Sequence, residues 1–217
     1  MIVTSQSAQR IPLIIKVIYT LYMMVLVPVY WQTYGPTNFL YFCDIALFLT
    51  LVALWRESAL LVSAAAVGIV LPQALWAIDF LATGLGVPLS GMTAYMYDDA
   101  LPFYARFLSF FHFWLPFFLL WLLKRTGYDA RGLPLWVVIA LLALYICYFF
   151  MPAPPAPTDN AALPVNINYV YGLSDQAPQT WMPGVVWFLL LQLMLVFLIF
   201  LPSHYLFKRL YRAADGR

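Results

Sequence analysis

The chain reads as an all-α, polytopic membrane protein of six transmembrane helices with an N-in, C-in topology. Three observations carry that reading. First, 65% of the 217 residues are hydrophobic and only 9% are charged. A soluble domain carries about 25% charged residues, so this chain has too few to cover a water-facing surface. Second, the charges are segregated into short stretches between long apolar runs, the pattern of a chain whose solvent is lipid. Third, lysine and arginine alternate from one connection to the next, as the positive-inside rule demands.

A spanning helix needs roughly 20 apolar residues. Six stretches reach or approach that length: about 11–31, 37–55, 59–83, 101–123, 134–151 and 183–207. The fifth is short, but its aromatic end (Tyr145, Tyr148, Phe149, Phe150) suits a membrane interface. Arg10 and Lys16 lie at the start of the first helix, and Arg56 lies between the second and third. Lys124, Arg125 and Arg131 lie between the fourth and fifth, and Lys208, Arg209, Arg212 and Arg217 follow the sixth. The connections near 32–36, 84–100 and 152–182 hold no lysine or arginine. An odd helix count would put one basic cluster on the wrong side, so count and orientation support each other. The expectation is a single domain over residues 1–217, in a bacterial inner (plasma) membrane, with both termini cytoplasmic. The first apolar segment is followed by Trp31, Gln32, Thr33 and Tyr34, which offer no small-residue cleavage site, so it reads as a retained helix.

Several function classes are excluded. A net charge of +2 without a basic patch is not the footprint of nucleic-acid binding. Two cysteines, Cys43 and Cys147, cannot build a disulfide framework. There is no Walker loop, dinucleotide fingerprint or HExxH motif. Nothing in the pattern demands a metal or an organic cofactor.

The two longer outer loops carry more than linker chemistry. Residues 84–100 hold Gly84, Gly86, Pro88 and Gly91 and the pair Asp98–Asp99. Residues 152–182 begin in a proline-rich stretch that favours a stiff, extended backbone. Asn166, Asn168, Tyr169 and Gly172 follow, then Trp181 at the entrance of the last helix. This loop is expected either to dip back and close the bundle from outside or to lie as a plain surface loop with interfacial aromatics.

Ionisable groups at membrane depth are costly and mark functional sites. Asn38, Tyr41, Cys43 and Asp44 fall in the first two turns of the second helix, which puts Asp44 about 10 Å in at 1.5 Å per residue. Pro72, Trp76, Asp79 and Thr83 share one stripe of the third helix. Arg106, Ser109, His112 and Pro116 share a broad face of the fourth. Asp44, Asp79, Arg106 and His112 thus fall in the outer half of the bilayer, and the inner half has no comparable set. They are expected to face one another or a wet cavity. A bland alternative stays open: Asp44 or Asp79 pairs with Arg106 only to fix helix register, and His112 is an interhelical hydrogen-bonding residue. Three readings of Cys43 stay open too: an inert small side chain, a disulfide with Cys147, or a nucleophile activated by His112 or Arg106. His204, beside Lys208 and Arg209, reads as interfacial.

Asn38-Phe-Leu-Tyr-Phe-Cys43-Asp44 resembles the Cys-Asp motif of YwaF-like bacterial membrane proteins. Phe111-His112-Phe-Trp-Leu-Pro116 resembles their His-containing Leu-Pro helix, and Asn166-Ile-Asn168-Tyr169 their Asn-Tyr segment. The motifs occur in the family's order across residues 38–170, although the family's histidine two residues before the cysteine is Tyr41 here. That family is similar to eukaryotic membrane acyltransferases with a Cys/His pair, and more remotely to androgen-regulated fatty-ester hydrolases. The resemblance implies Cys43 as nucleophile and His112 as base.

Two functions from different classes are therefore expected. One is a membrane-embedded lipid-ester hydrolase or acyltransferase. Cys43 would attack, His112 would act as base, and Asp44 or Asp79 would orient the imidazole. Arg106 would hold a phosphate or an oxyanion, with Tyr41, Asn166, Asn168 and Tyr169 contacting the substrate. The other is a non-enzymatic small-ligand-binding or transport protein, in which Asp44, Asp79 and Arg106 hold a polar ligand or relay protons. A structural subunit of a membrane complex, or a homo-oligomer, is the third alternative. Membrane lipids are the expected partners in the first case.

Overall fold

The computed structural model describes residues 11–211 apart from 88, 100, 159, 161 and 162, and among these it is helical without a strand. Arg10, Pro88, Arg212 and Arg217 of the sequence reading lie outside the described residues. The long segments are α1 (Leu13–Tyr34), α2 (Phe42–Arg56), α3 (Ala59–Gly84), α4 (Phe103–Thr126), α5 (Gly132–Phe150) and α6 (Gly184–Leu210). All but α2 are long and apolar enough to cross a membrane. Their outward faces carry large apolar side chains in the open, among them Leu13, Met24, Phe117, Leu142 and Leu198, each more than half exposed. Water would not tolerate so large an apolar surface. The chain is a multi-pass membrane protein.

The second expected helix is divided. Pro36 opens a short 3₁₀ turn, Pro36–Leu40, and Tyr41 is extended before α2 begins. The 15 residues of α2 reach only about 22 Å at 1.5 Å per residue, less than a hydrocarbon core of about 30 Å. It nevertheless returns the chain along the length of α1. Lys16, in the first turn of α1, meets Glu57, just past the end of α2, at 2.7 Å.

The core is organised on α3, which packs against α2, α4, α5 and α6. Composition explains why this helix takes the centre. Ser63, Ala64, Ala65, Ala66 and Gly68 are small and buried, so neighbouring backbones can approach closely. The indole of Trp136 on α5 lies flat against Gly68, where any Cβ would overlap it. Gly132, at the start of α5, abuts Ser63 in the same way.

Two helices are irregular, in places the prolines of α3 and α4 do not mark. In α4 the hydrogen bonds tighten at Ser109 and Phe110, where Phe110 N–H bonds Phe107 and His112 N–H bonds Ser109. The Ser109 hydroxyl donates back to the Ala105 carbonyl, a contact that bends helices. In α6, Leu195–Phe200 is a π-helical stretch. It immediately precedes Pro202, whose missing N–H and bulky ring disturb the turn before it.

One end of the bundle is closed by short connections. The α4–α5 turn bonds the end of α6 through Tyr128 N–H to the Tyr211 carbonyl, and the Asp129 N–H bonds the Ser63 hydroxyl at 2.9 Å. His204, expected at the interface, is buried instead, its Nδ1 2.7 Å from the Tyr128 hydroxyl. The aromatic turn needs a polar partner, and α6 supplies it. The other end carries the long connections, and the described part of residues 152–182 folds back over it, held to the start of α2 through Asn168.

Candidate functional site

A cavity of about 880 Å³ opens at the looped end and runs down between the helices as far as Gly68 on α3 and Ile199 on α6. That is within the range of small-molecule sites. Its deep walls are apolar, with Ile69, Leu191, Leu195 and Ile199. Its upper part is aromatic and polar, with Tyr34, Asn38, Asp44, Gln73, Trp76 and His112.

Asp44 stands in the first turn of α2 and is only 2% exposed. One carboxylate oxygen, Oδ2, accepts from the Asn38 amide at 3.3 Å and from the Cys43 thiol at 3.6 Å. The other, Oδ1, is buried and has no partner. Gln73, on α3 and 3% exposed, leaves both amide atoms unpartnered, and the buried Tyr34 hydroxyl does the same. Such groups cost roughly 1–3 kcal/mol each when left unsatisfied. Their concentration on one cavity marks it as suited to a polar ligand.

His112 also lines the cavity, its ring stacked on Trp76 at 4.8 Å between centroids. Its Nδ1 lies 2.8 Å from the Ser109 carbonyl. A carbonyl oxygen only accepts, so Nδ1 carries the proton and Nε2 is the free base in the neutral ring. The tightened turn at Ser109 makes this contact, because it brings that carbonyl under the imidazole.

The other expected site residues divide sharply. Asp79 is 2% exposed but fully used. It accepts from the N–H groups of Leu89, Ser90 and Thr93, and from the Thr93 hydroxyl at 2.6 Å. It folds the loop after α3 and bonds neither Arg106 nor His112. Arg106, expected to pair with Asp44 or Asp79, instead donates to Asp99 at 3.2 Å and to the Met96 carbonyl at 3.3 Å. Both partners lie in the loop just before α4, so the arginine is taken locally. It does not line the cavity.

Asn166 and Asn168, both expected to touch substrate, hold the long loop together, and of the two only Asn168 also lines the cavity. The Asn166 amide donates to the Gly172 and Ser174 carbonyls and to Asp175, and its oxygen accepts from Tyr171 N–H. Asn168 clamps the loop to α2: its oxygen accepts from Phe42 N–H at 3.0 Å and its amide donates to the Leu40 carbonyl at 2.9 Å. Both asparagines have left-handed backbone, with φ of 50° and 58°, a conformation asparagine adopts readily. Tyr169 shares it at φ 63°, which costs a bulky residue more. Trp187 donates to the Tyr169 carbonyl, and Tyr169 lines the cavity, as does Tyr41.

The two cysteines are free. Cys43 bonds Asp44, and Cys147 receives the Asn168 amide at 3.8 Å, so the disulfide alternative falls. Among the described residues, no group of three histidine, cysteine or acidic side chains could hold a metal ion.

Sequence reasoning missed Gln73 and Tyr34, although a glutamine in the middle of an apolar helix is itself a signal. It missed Asp175, which lines the cavity mouth, because a loop acid carries no local signature. Asp175 is exposed, but the loop packed against its carboxyl partly desolvates it and raises it above its ordinary pKa, against the opposing hydrogen bond from Asn166. Burial, reinforced by Asp175, raises the neighbouring Tyr169 to about 12.

Comparison of the chain with protein-family models, with curated proteins and with solved structures finds no match.

Proposed function

We propose that this protein is a six-pass membrane protein that receives a small ligand in an outward-facing cavity, as a binding or transport protein. The single observation that carries the reading is the cavity itself. It gathers buried polar atoms without partners, at Asp44, Gln73 and Tyr34, above an apolar floor. A six-pass N-in, C-in arrangement is supported by the return of α2 to Lys16 and by the clustering of Lys124, Arg125, Lys208 and Arg209 at the closed end. The looped end, with no lysine or arginine in residues 84–100 or 152–182, then faces outward from a bacterial inner membrane. The bend in α4 and the π-helical stretch of α6 border the cavity, and π-turns recur at functional sites.

A second reading keeps ester chemistry. It is favoured by one observation: Cys43 and His112 line the same cavity, as the resemblance to YwaF-like proteins implies. Against it, the partner of the Cys43 thiol is the Asp44 carboxylate rather than an imidazole, and a neighbouring carboxylate disfavours a thiolate. Arg106, the expected phosphate holder, donates to Asp99 and the Met96 carbonyl and lies outside the cavity lining, although its Nε is buried without a partner.

Mass spectrometry separates the two. Native spectra of the detergent-solubilised protein are expected to show a non-covalently retained small molecule, and Gln73→Trp, which fills the cavity, to lose it. Denatured spectra after incubation with phospholipids are expected to show the bare chain. An acyl adduct that disappears in Cys43→Ala would overturn the binding reading in favour of the enzyme.

A further inference from the structure

The cavity has a charge character that narrows its ligand. Three of its lining residues are carboxylates: Asp44 within, and Asp98 and Asp175 towards the loops. No described residue lining it is a lysine or arginine. Asp44 is the decisive one. Its Oδ2 holds two donors, its Oδ1 holds none, and the group is buried at 2% exposure. A buried carboxylate left incomplete on one side is completed by a proton or by an arriving positive charge. The same lining holds electron-rich rings, Tyr34, Tyr41 and Tyr95. Aromatic faces beside a carboxylate form the environment that attracts an ammonium group, especially where water is sparse.

We infer that the cavity takes an organic cation, an amine or quaternary ammonium with an attached apolar group. The ammonium sits against Asp44 among the rings. The apolar part extends down the Ile69, Leu195 and Ile199 walls. A phospholipid headgroup fits less well, because its phosphate would find no lysine or arginine in the lining. An inorganic cation fits less well, because three ligating side chains do not converge among the described residues. The inference rests on the ligand-binding reading above and specifies its substrate class.

Isothermal titration of the full chain in maltoside micelles tests it with three probes of similar size: benzyltrimethylammonium, its neutral isostere neopentylbenzene, and benzenesulfonate. Only the cation is expected to bind saturably. Asp44→Asn is expected to weaken it at least about tenfold, the loss of a desolvated charge partner. Asp175→Asn, in the loop and outside the helix core, is expected to weaken it by a smaller factor. Equal binding of the neutral probe, tighter binding of the sulfonate, or an unchanged affinity in folded Asp44→Asn protein would overturn the cation assignment while leaving a ligand-binding cavity. If no probe of any charge binds, the cation assignment falls, and the retained molecule in native mass spectra decides the broader reading separately. If Asp44→Asn does not fold, the charge series and Asp175→Asn carry the decision.

Discussion

Asp44 and Asp79 have the same 2% exposure and both lie near the looped end of a helix, but Asp44 is deep in the bundle while Asp79 lies just beneath a surface loop. Their surroundings differ completely. Asp79 meets three backbone N–H groups and a hydroxyl, all from residues 89–93. Asp44 meets one amide and one thiol and leaves an oxygen bare against the cavity. The difference teaches that burial of a carboxylate does not by itself mark a functional site. A satisfied carboxylate is part of the scaffold, and an incomplete one keeps a place for something else.

The comparison breaks most readily at Asp79. Asp79→Ala strands the buried N–H and hydroxyl of Thr93 and releases the N–H groups of Leu89 and Ser90, and is expected to cost about 3 kcal/mol, read as a fall in the thermal midpoint in detergent. A near-native midpoint would show that the loop closes without it. Asn168→Ala removes the clamp between the long loop and α2 and is expected to cost about 2 kcal/mol. It should also speed modification of Cys43 by a membrane-impermeant maleimide in a Cys147→Ala background. Unchanged labelling would mean that the loop does not guard the cavity. Asp44→Asn is expected to cost less than about 1 kcal/mol, or to stabilise, because it removes a buried charge that lacks full compensation. A loss as large as that of Asp79→Ala would erase the distinction between the two sites.

The smallest effects lie outside the helices. The Asp175 carboxyl has a raised pKa in the folded loop, through partial desolvation by the loop around it. Between its unfolded value, about 3.9, and that raised value the folded state binds more protons. Stability therefore falls as pH rises through this window and is flat above it. Asp175→Asn should melt slightly higher than wild type above the window and converge with it below. The opposite divergence would refute the desolvation argument. Asp129 has the reverse sign. Its hydrogen bonds from Arg131 lower its pKa, so its contribution is present above the unfolded value and lost as pH falls through the folded one. The Arg131 side chain is 78% exposed, so Asp129→Ala is expected to change stability by less than about 1 kcal/mol.

Much of the fold was legible in the chain. Long apolar runs set the helices, and Ala64, Ala65, Ala66 and Gly68 let neighbours approach α3 closely. Aspartate and histidine at membrane depth pointed to the looped end of α2, α3 and α4. The helix irregularities were less legible, since Pro72 and Pro116 drew attention while the tightening fell at Ser109 and the π-turn before Pro202. The site was half legible. Cys43, Asp44, His112, Tyr41, Asn168 and Tyr169 do line one cavity, but Asp79, Arg106 and Asn166 are spent on neighbouring loops.

The sequence by itself determined which segments are apolar enough to enter a membrane, because transfer to hydrocarbon depends on local composition. It also determined which side chains would be costly there. Only the tertiary structure decided which of those costs are met. Satisfaction of a buried polar group depends on which donors arrive, and these come from far along the chain or from loops without a regular period. Phe42 meets Asn168 across 126 residues, and Asp79 waits for a backbone turn ten to fourteen residues later. The incomplete partnership of Asp44 is likewise a property of the packed bundle, because it consists in what does not reach the carboxylate.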